Sequence, residues 1–213
     1  MTTPPPLGHG SRGDPDSPLG HGSRGDPDSP LAHGSRADPD SPLSHGSRQV
    51  VLALGSNLGD RLDNLQGAID ALFDAPGLDF LAVSPVYETA PAGGPPQPDY
   101  LNAVIIVDTA LACRTILDRA HGVEEAFGRV RRERWGPRTL DVDLIVCGDT
   151  VSDDPELTLP HPRAHERVFV LLPWHDIDPG AEIPGRGSVA ALLDALGHDG
   201  VRRAIGSELQ PPG

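Results

Sequence analysis

The hydrophobic pattern after residue 48 limits the folds that this chain can adopt. Continuous or alternating apolar runs predict strands, whereas apolar residues three and four positions apart predict helices. Strand and helix patterns follow one another in the order 49–56 (strand), Leu62 to Phe73 (helix), 78–89 (strand), 100–109 (strand), Ile116 to Phe127 (helix) and 139–148 (strand). We therefore predict an α+β fold with a ferredoxin-like βαββαβ core, in which two helices cover one face of an antiparallel sheet. The other face of the sheet is expected to stay available.

The chain divides into a repetitive N-terminal segment and a remainder that is able to bury a core. The unit "PLGHGSRGDPDS" at 6–17 recurs with a period of twelve residues up to residue 48. Each unit offers one leucine as its only large apolar side chain, so burial does not balance an ordering cost of roughly 1–2 kcal/mol per residue. We predict that residues 1–48 are disordered and that residues 49–213 form one folded domain. Within that domain, "HERVFVLLPWH" and "GSVAALLDALG" indicate two further helices after the core.

The charge balance excludes several classes of partner. The formal net charge of −14 argues against nucleic acid as the main ligand, because duplex binding depends on lysine and arginine at phosphates. All 17 basic residues are arginine, which excludes a P-loop with its phosphate-binding lysine. No apolar run approaches the roughly 18 residues of a membrane span. The spacing of Cys113 and Cys147 indicates neither a zinc site nor a disulfide framework, so we predict a cytoplasmic protein with reduced thiols.

Two aspartates interrupt the last predicted strand of the core, "TLDVDLIVCG". Alternation along the strand puts one set of side chains on the core face, Leu140, Val142, Leu144 and Val146, and another set on the opposite face, Asp141, Asp143, Ile145 and Cys147. Two neighbouring carboxylates repel each other unless a cation lies between them. Magnesium held by one or two carboxylates and completed by substrate phosphates meets that requirement. The alternative interpretation is a solvated polar face on an amphipathic strand.

An arginine cluster directly precedes this strand. The segment "GRVRRERWGPR" holds one acid, Glu133, and five arginines: Arg129, Arg131, Arg132, Arg134 and Arg138. Guanidinium groups match phosphate oxygens in bidentate geometry and neutralise charge during phosphoryl transfer. The cluster therefore predicts a triphosphate site, and the glycines and proline that bracket it predict a mobile lid. A solvated loop paired with surface carboxylates is the alternative, which we favour for Arg132.

Three more features bear on a binding site. Tyr100 and Asn102 fall on one face of their strand, where an aromatic ring beside an amide suits a flat heterocycle; a plain strand start is the alternative. The turn "GSNLG" lacks the spacing and the lysine of a phosphate loop, and we interpret it as a turn that leads into the first helix through a cap at Asn57 or Asp60. His161 lies between two prolines and is expected to be an exposed loop histidine.

Five segments, in order and spacing, resemble the 6-hydroxymethyl-7,8-dihydropterin pyrophosphokinase family: "LALGSNLGDR", "SPVYETAP", "QPDYLNAVI", "GRVRRERWGPRTLDVDLI" and "LPHPRAHERVFVLLP". The resemblance covers residues 49 to about 195, and "RWGPRTLDVDL" is its most specific part. It implies an α/β sandwich built on the ferredoxin-like core. It also implies a step of tetrahydrofolate biosynthesis, in which the hydroxymethyl oxygen of the pterin attacks the β-phosphorus of ATP and AMP is released.

The resemblance also implies roles for particular residues. Asp141 and Asp143 are expected to hold two magnesium ions, which offset the repulsion between the carboxylates. The expected catalytic residues are Arg129, Arg138, Asp141 and Asp143. ATP is expected to lie against a further set, Glu124, Arg131, Arg134, Trp135, His161 and Arg167. The pterin is expected to contact Thr89, Tyr100, Asn102 and Phe169, with Asn102 at its edge and Phe169 stacked on its ring. The resemblance implies a monomer, and we expect neither a nucleic-acid nor a membrane partner.

Two other functions share parts of this pattern. A metal-dependent nucleotidyltransferase on a ferredoxin-like palm also places carboxylates on such a strand, but it would release pyrophosphate instead of AMP. A non-enzymatic RNA-binding module uses the open face of the same kind of sheet for aromatic stacking. The aromatic content of 4% and the acidic balance weigh against the RNA-binding module.

Overall fold

A computed structural model of the chain describes residues 46–91, 93, 95–128 and 137–213. Of the segment 1–48 that we predicted as disordered, residues 1–45 lie outside the described residues, as does the arginine-rich segment 129–136. Arg48, the last residue of that predicted segment, already begins the first strand. In chain order the elements are β1 Arg48–Ser56, α1 Arg61–Phe73, β2 Asp79–Val83, β3 Tyr87–Thr89, β4 Tyr100–Thr109, α2 Cys113–Ala126, β5 Asp141–Cys147, β6 Ser152–Asp154, β7 Leu157–Leu159, a 3-10 turn Ala164–Glu166, α3 Val168–Ile177, β8 Glu182–Ile183, β9 Gly187–Ser188, α4 Val189–Leu196 and β10 Val201–Arg203. In this described part of the chain, no helix has the length and apolar character to cross a bilayer.

The main sheet has the strand order β10-β3-β4-β1-β5, and β2 also pairs with β4. All of these pairings are antiparallel. The predicted α+β fold is therefore confirmed, and the structure adds β10 as an edge strand that the sequence did not predict. The short hairpins β6–β7 and β8–β9 form separate two-stranded sheets.

The predicted strand at 78–89 is two strands, β2 and β3, with a break at Ser84, Pro85 and Val86. Proline has no N–H for a ladder bond and restricts the residue before it. Ser84 keeps this break attached to β4, because its N–H donates to the Val104 carbonyl and its hydroxyl accepts from the Val104 N–H, both at 2.9 Å. Both strands therefore pair with β4 although the chain is interrupted between them.

Helices α1 and α2 cover one face of the sheet. Leu65 and Ile69 of α1 and Ile116 of α2 lie in one buried apolar cluster with the sheet residues of that face. Helix α1 begins after Asp60, whose carboxylate accepts from the Asp63 N–H at 3.2 Å. Of the two predicted caps, Asp60 is therefore the one that the helix uses.

The opposite face of the sheet is covered over part of its length. Val51, Val104 and Ile145 of the sheet form a second buried cluster with Trp174 of α3 and Val189 of α4. The prediction that this whole face stays available is wrong, because the two C-terminal helices bury their own apolar residues there. The face stays open at the end where β1 finishes and where β4 and β5 begin.

A β-bulge in β5 changes the face that its last residues reach. The pairing with β1 skips Ile145, because successive β1 residues lie opposite Val146 and Leu144. Val146 consequently packs in the same cluster as Ile145, while Cys147 lies in the cluster under α1 and α2. The predicted alternation is therefore correct up to Ile145 and wrong for Val146 and Cys147.

The bulge brings Cys147 to the start of α2, where its sulfur is bonded to that of Cys113. The two Cα atoms are 6.0 Å apart, a separation that suits a disulfide. The prediction of reduced thiols is therefore wrong. It rested on the spacing of the two cysteines along the chain, and spacing does not show that α2 and β5 bring Cys113 and Cys147 together.

The C-terminal residues attach to one edge of the main sheet and to α1. Strand β10 pairs with β3, where Val201 lies opposite Thr89. Beyond β10, Leu209 is buried in the core under the helices. Gln210 then exchanges two bonds with Gln66 of α1: its N–H donates to Gln66 Oε1 at 2.8 Å, and Gln66 Nε2 donates to its carbonyl at 3.2 Å.

Candidate active site

Three strands meet at the open end of the sheet, where β1 contributes small residues and β4 and β5 contribute polar side chains. Gly55 of β1 lies opposite Asn102 of β4 and opposite Asp141 of β5, and Ala53 lies opposite Asp143. A Cβ on Gly55 would stand 3.5 Å from Asn102 Oδ1 and 3.9 Å from Asp141 Cβ. The small residues of β1 thus form a floor, and the polar side chains of β4 and β5 rise beside it.

A cavity of about 180 Å³ lies above this floor. We call it the inner cavity; its walls include Thr89, Tyr100, Asn102, Asp141, Asp143 and Phe169. The four residues predicted to contact the pterin all lie on these walls. They come from β3, β4 and α3, so the fold brings together side chains that are up to 80 positions apart in the sequence.

The side chain of Asn102 is held in one orientation on the cavity wall. It is 5% exposed, and its Nδ2 donates to Thr89 Oγ1 at 2.9 Å and to the Tyr87 carbonyl at 3.4 Å. Because these bonds use the amide nitrogen, the carbonyl oxygen faces the space above Gly55. An amide oxygen in that position is able to accept a bond from an N–H group of a ligand.

Two aromatic side chains supply apolar surface to the same cavity. Tyr100 is half-buried, and burial is the main cause that raises the pKa of its phenol. The phenol therefore stays neutral, with its hydroxyl 3.5 Å from Gln97 Oε1. Phe169 lies at the start of α3, and its ring centroid is 5.7 Å from the guanidinium carbon of Arg167. Such rings suit a flat heterocycle, which buries large faces at a small conformational cost.

Each of the two aspartates is paired with an arginine. Arg138 Nη1 donates to Asp141 Oδ1, and Arg167 Nη1 donates to Asp143 Oδ2 at 2.7 Å. Burial lowers the pKa of Arg138, but the Asp141 carboxylate more than compensates, so that this pKa is raised. Two guanidinium groups therefore offset the repulsion between the carboxylates. Both aspartates are partly exposed, at 22% and 31%, so solvent also screens them.

The imidazole of His161 points towards the aspartates, so the prediction of an exposed loop histidine is wrong. Its side chain is 18% exposed, and Nε2 lies 3.8 Å from Asp143 Oδ2. Its backbone N–H donates to the carbonyl of Ile145 at 2.8 Å, which attaches this segment to β5. Burial lowers the pKa of His161 despite the opposing effect of Asp143. Its Nδ1 accepts from the Arg163 N–H at 3.2 Å, so the neutral imidazole presents Nε2–H as a donor near Asp143.

Glu124 of α2 occupies a buried position next to the aspartates. Its side chain is 2% exposed, and its Oε1 accepts from the Val142 N–H at 2.9 Å. Val142 lies between the two aspartates on β5, the edge strand of the main sheet, so Glu124 satisfies an edge donor. The arrangement fixes the strand that carries both carboxylates. A direct contact between Glu124 and ATP stays a prediction.

A larger cleft of about 850 Å³ lies between α2, β5 and the β6–β7 hairpin. We call it the outer cleft; Glu124, Asp143 and His161 are among its lining residues. Asp143 thus lines both the outer cleft and the inner cavity. A molecule in either space reaches the same carboxylate.

Part of the predicted nucleotide site falls on the segment 129–136. Arg129, Arg131, Arg132, Arg134 and Trp135 lie outside the described residues. Their roles remain predictions, and Arg138 is the member of the arginine cluster whose contacts the structure describes.

The sequence did not identify Asn57 as a residue of this site. Asn57 follows β1 and is 1% exposed. Its side chain contacts both the backbone of Arg138 and the segment that precedes β4, at Gln97 and Pro98. The available signal was a lone amide after a long apolar strand, which we interpreted as a helix cap.

Comparison with known proteins identifies relatives of the chain. Residues 51–179 match the family described as 7,8-dihydro-6-hydroxymethylpterin-pyrophosphokinase. A Mycobacterium tuberculosis protein named 2-amino-4-hydroxy-6-hydroxymethyldihydropteridine pyrophosphokinase is 46% identical over 171 residues, which cover 72% of this chain and 88% of that protein. Proteins of the same name from Mycobacterium leprae and Pseudomonas aeruginosa are 50% and 39% identical, over 72% and 75% of this chain and 87% and 99% of their own.

The fold is similar to that of solved structures. A crystal structure of wild-type Plasmodium falciparum HPPK-DHPS has a TM-score of 0.59 at 13% identity, and the match covers 78% of this chain and 49% of that one. This chain therefore spans about half the length of that protein. At such low identity, the likeness supports the fold alone.

Proposed function

This chain belongs to the 7,8-dihydro-6-hydroxymethylpterin-pyrophosphokinase family, and on that premise we propose how its residues perform the family's reaction. It transfers pyrophosphate from ATP to 6-hydroxymethyl-7,8-dihydropterin and releases AMP, a step of folate biosynthesis. The observation that carries the proposal is the position of Asp143 on the walls of both the inner cavity and the outer cleft. Transfer between two bound substrates needs such a shared point, because the reacting groups have to be held close together.

The inner cavity takes the pterin in this proposal. The ring lies between the aromatic surfaces of Phe169 and Tyr100. The carbonyl oxygen of Asn102 accepts from an N–H at the edge of the pterin, and its bond to Thr89 Oγ1 keeps it in place for that purpose. The hydroxymethyl group is then directed towards Asp143, which is the side of the cavity that borders the outer cleft.

The outer cleft takes ATP. Glu124 and His161 line this cleft, and Arg138 and Arg167 line the inner cavity, which shares Asp143 with the cleft. The neutral imidazole of His161 suits a hydrogen bond to a phosphate oxygen. The residues of the arginine cluster that we predicted as ATP contacts would supply further positive charge and an indole: Arg129, Arg131, Arg134 and Trp135.

Asp141 and Asp143 would hold the magnesium ions that accompany ATP. Among the described residues, no group of three His, Cys, Asp or Glu side chains is placed to bind a metal. The pair of carboxylates still fits magnesium, because this ion is usually bound by one or two carboxylates and completed by water and substrate phosphates. Bound magnesium neutralises charge on the phosphates. Arg138 and Arg167 then exchange their carboxylate partners for phosphate oxygens.

The reaction forms a bond between the hydroxymethyl oxygen and the β-phosphorus of ATP. The bond from that phosphorus to the oxygen shared with the α-phosphate breaks, and AMP leaves with the electron pair. We assign the hydroxyl proton to Asp143, through a water molecule. Arg129 and Arg138 stabilise the negative charge that accumulates on the transferred group. Positioning and charge neutralisation therefore account for most of the rate enhancement.

We also propose that the protein works as a monomer in the cytoplasm. Every side chain assigned to the two substrates comes from a single chain, so the site needs no partner subunit. The use of ATP as a substrate supports a cytoplasmic location. The disulfide between Cys113 and Cys147 is unusual for that setting, and the full burial of both cysteines protects it from soluble thiols.

The test is to incubate the protein with Mg-ATP and 6-hydroxymethyl-7,8-dihydropterin and to separate the products by chromatography. AMP is expected to appear when the pterin is present and to be absent without it. Release of inorganic pyrophosphate in place of AMP would indicate a nucleotidyltransferase and would overturn the proposal. The Asp141→Asn variant serves as a matched control, because it keeps the size of the side chain and removes its charge.

A further inference from the structure

Asn57 connects the two parts of the site, and we infer that it is a positioning residue for the pterin. The segment between β3 and β4, residues 90–99, borders the inner cavity through Ala90, Pro91 and Gln97, and we call it the substrate loop. We infer that Asn57 holds the end of this loop at a fixed distance from Arg138. The inference rests on the proposed function, because it concerns the same pair of substrates.

The contacts of Asn57 divide into two groups. On one side, its Nδ2 donates to Gln97 Oε1 at 2.9 Å and to the Pro98 carbonyl at 3.1 Å. On the other side, its Oδ1 accepts from the Arg138 N–H at 2.8 Å, and its own N–H donates to the Arg138 carbonyl at 3.1 Å. The amide thus uses its donor end for the substrate loop and its acceptor end for the arginine.

Both groups of contacts lead directly to side chains of the proposed site. Gln97 lines the inner cavity, and its Oε1 lies 3.5 Å from the hydroxyl of Tyr100. Arg138 also lines the inner cavity and pairs with Asp141. Asn57 itself lies outside the lining of both spaces that we assign to substrates. It therefore acts on the reaction through these neighbours and not by touching a substrate.

The burial of Asn57 increases the free-energy cost of losing these hydrogen bonds. The side chain is 1% exposed, so water does not replace a lost partner. A buried polar group that loses its partner also loses its solvation, which costs more than the bond itself contributes. Asn57 follows β1, which lies between β4 and β5 and whose Gly55 forms the cavity floor. Asn57 thus fixes the positions of the substrate loop and of Arg138 relative to β1, the strand beneath the proposed pterin site.

The variant Asn57→Asp separates the two groups of contacts. Aspartate keeps the acceptor for the Arg138 N–H, but it replaces the donor end with an oxygen that faces Gln97 Oε1 and the Pro98 carbonyl. Loss of the loop contacts is expected to raise the dissociation constant of the pterin about 10- to 100-fold, the range for one or two buried hydrogen bonds. The KM of ATP is expected to change less than about threefold.

A matched control is available in the first turn of α1. Asn64 also donates from a partly buried amide, to the Leu58 carbonyl at 2.8 Å and to the Thr139 carbonyl at 3.2 Å. Its amide also donates to Ser56 Oγ at 3.1 Å, so Asn64→Asp makes the same chemical change away from the substrate loop. We expect this control to lower the melting temperature without a selective increase in the dissociation constant of the pterin.

The experiment measures pterin binding by fluorescence in the presence of magnesium and a non-hydrolysable ATP analogue, and then both KM values by AMP release. A selective loss of pterin affinity in Asn57→Asp but not in Asn64→Asp supports the inference. Equal losses for pterin and ATP, or an unchanged pterin affinity, would overturn it. If Asn57→Asp does not fold, Gln97→Ala removes a loop acceptor while the bonds to Arg138 stay, and unchanged pterin affinity in that variant overturns the inference.

These outcomes are distinct from a failure of the proposed function. If the unmodified protein binds the pterin but forms no AMP, the proposed reaction fails while the binding measurements still decide the role of Asn57. If the unmodified protein does not bind the pterin, both conclusions fail together.

Discussion

Reduction of the bond between Cys113 and Cys147 is expected to lower the free energy of unfolding by about 3.8 kcal/mol. The bond joins residues that are 34 positions apart. In the chain-entropy account, a loop of that length removes about 12.6 cal/mol/K from the unfolded chain, which gives the energy above at about 25 °C. This is a large share of the roughly 5–15 kcal/mol that keeps a typical domain folded. Turnover is expected to stay the same, because Cys147 ends β5 at the far end from Asp141.

The assay is urea unfolding followed through the fluorescence of Trp174, which is buried in the cluster under α3 and α4. The unmodified protein is unfolded with and without a phosphine reductant. The double variant Cys113→Ala and Cys147→Ala is treated in the same way as a control. Its unfolding midpoint is expected to be insensitive to the reductant, whereas that of the unmodified protein shifts to lower urea.

Two results would refute this reasoning. Alkylation of the denatured, unreduced protein would modify both cysteines if the bond were absent, and mass spectrometry would detect the two additions. A bond that is present but whose reduction leaves the midpoint unchanged would show that the unfolded chain gains little freedom when the loop opens.

Four shorter predictions concern the site and its surroundings. The variant Asp143→Ala is expected to abolish AMP release while the melting temperature, measured by calorimetry, stays close to that of the parent, because the carboxylate faces two cavities and not the core. Gly55→Val is expected to prevent pterin binding in the fluorescence assay while ATP binding persists, since the added methyl groups fill the cavity floor. Burial and the bond to Asp176 raise the pKa of Tyr87 from 10.0 to about 12, so the stability that Tyr87 contributes is complete below pH 10 and lost as the pH rises through about 12. The difference in urea midpoint between the parent and Tyr87→Phe is expected to shrink over that range. Deletion of residues 1–45 is expected to leave kcat and both KM values unchanged, and a large loss would show that the repeats contribute.

The sequence predicted the open face of the sheet because strand geometry is local. Side chains alternate with a period of two, and this period holds for Tyr100 and Asn102 on β4 and for Asp141 and Asp143 on β5. The strands β4 and β5 both pair with β1, so the two predicted faces coincide in space. A simple periodic rule was therefore sufficient to group four side chains of the candidate site.

The same rule failed where a local irregularity interrupts the period. The bulge at Ile145 reverses the faces of Val146 and Cys147, and the break at Pro85 divides a predicted strand. Hydrophobic content does not report such an irregularity, because valine and cysteine are buried on either face of this sheet. The disulfide was missed because we judged the cysteines by their spacing in the sequence, and the predicted alternation, which put Cys147 on the face away from α2, gave no reason to revise that prediction.

The sequence also did not predict which side chains connect segments that are distant along the chain. Asn57 donates to a partner 40 positions away and accepts from one 81 positions away. Asparagine after a strand is also common as a helix cap, and the neighbouring Asp60 took that role here. A local pattern identifies the residue type, but only the tertiary structure decides between a cap and a link.

The pairing of the two aspartates with arginines explains how β5 carries two neighbouring carboxylates. Asp141 is paired with Arg138, three residues before it, and Asp143 with Arg167, from the segment before α3, so each negative charge has a positive partner. In the proposed complex, Asp141 and Asp143 would hold magnesium, and Arg138 and Arg167 would bind phosphate oxygens. Arginine stays protonated with either partner, so this exchange moves no protons at these positions. A lysine in the same place would be more easily deprotonated when buried, which is a physical reason for a site built from guanidinium groups.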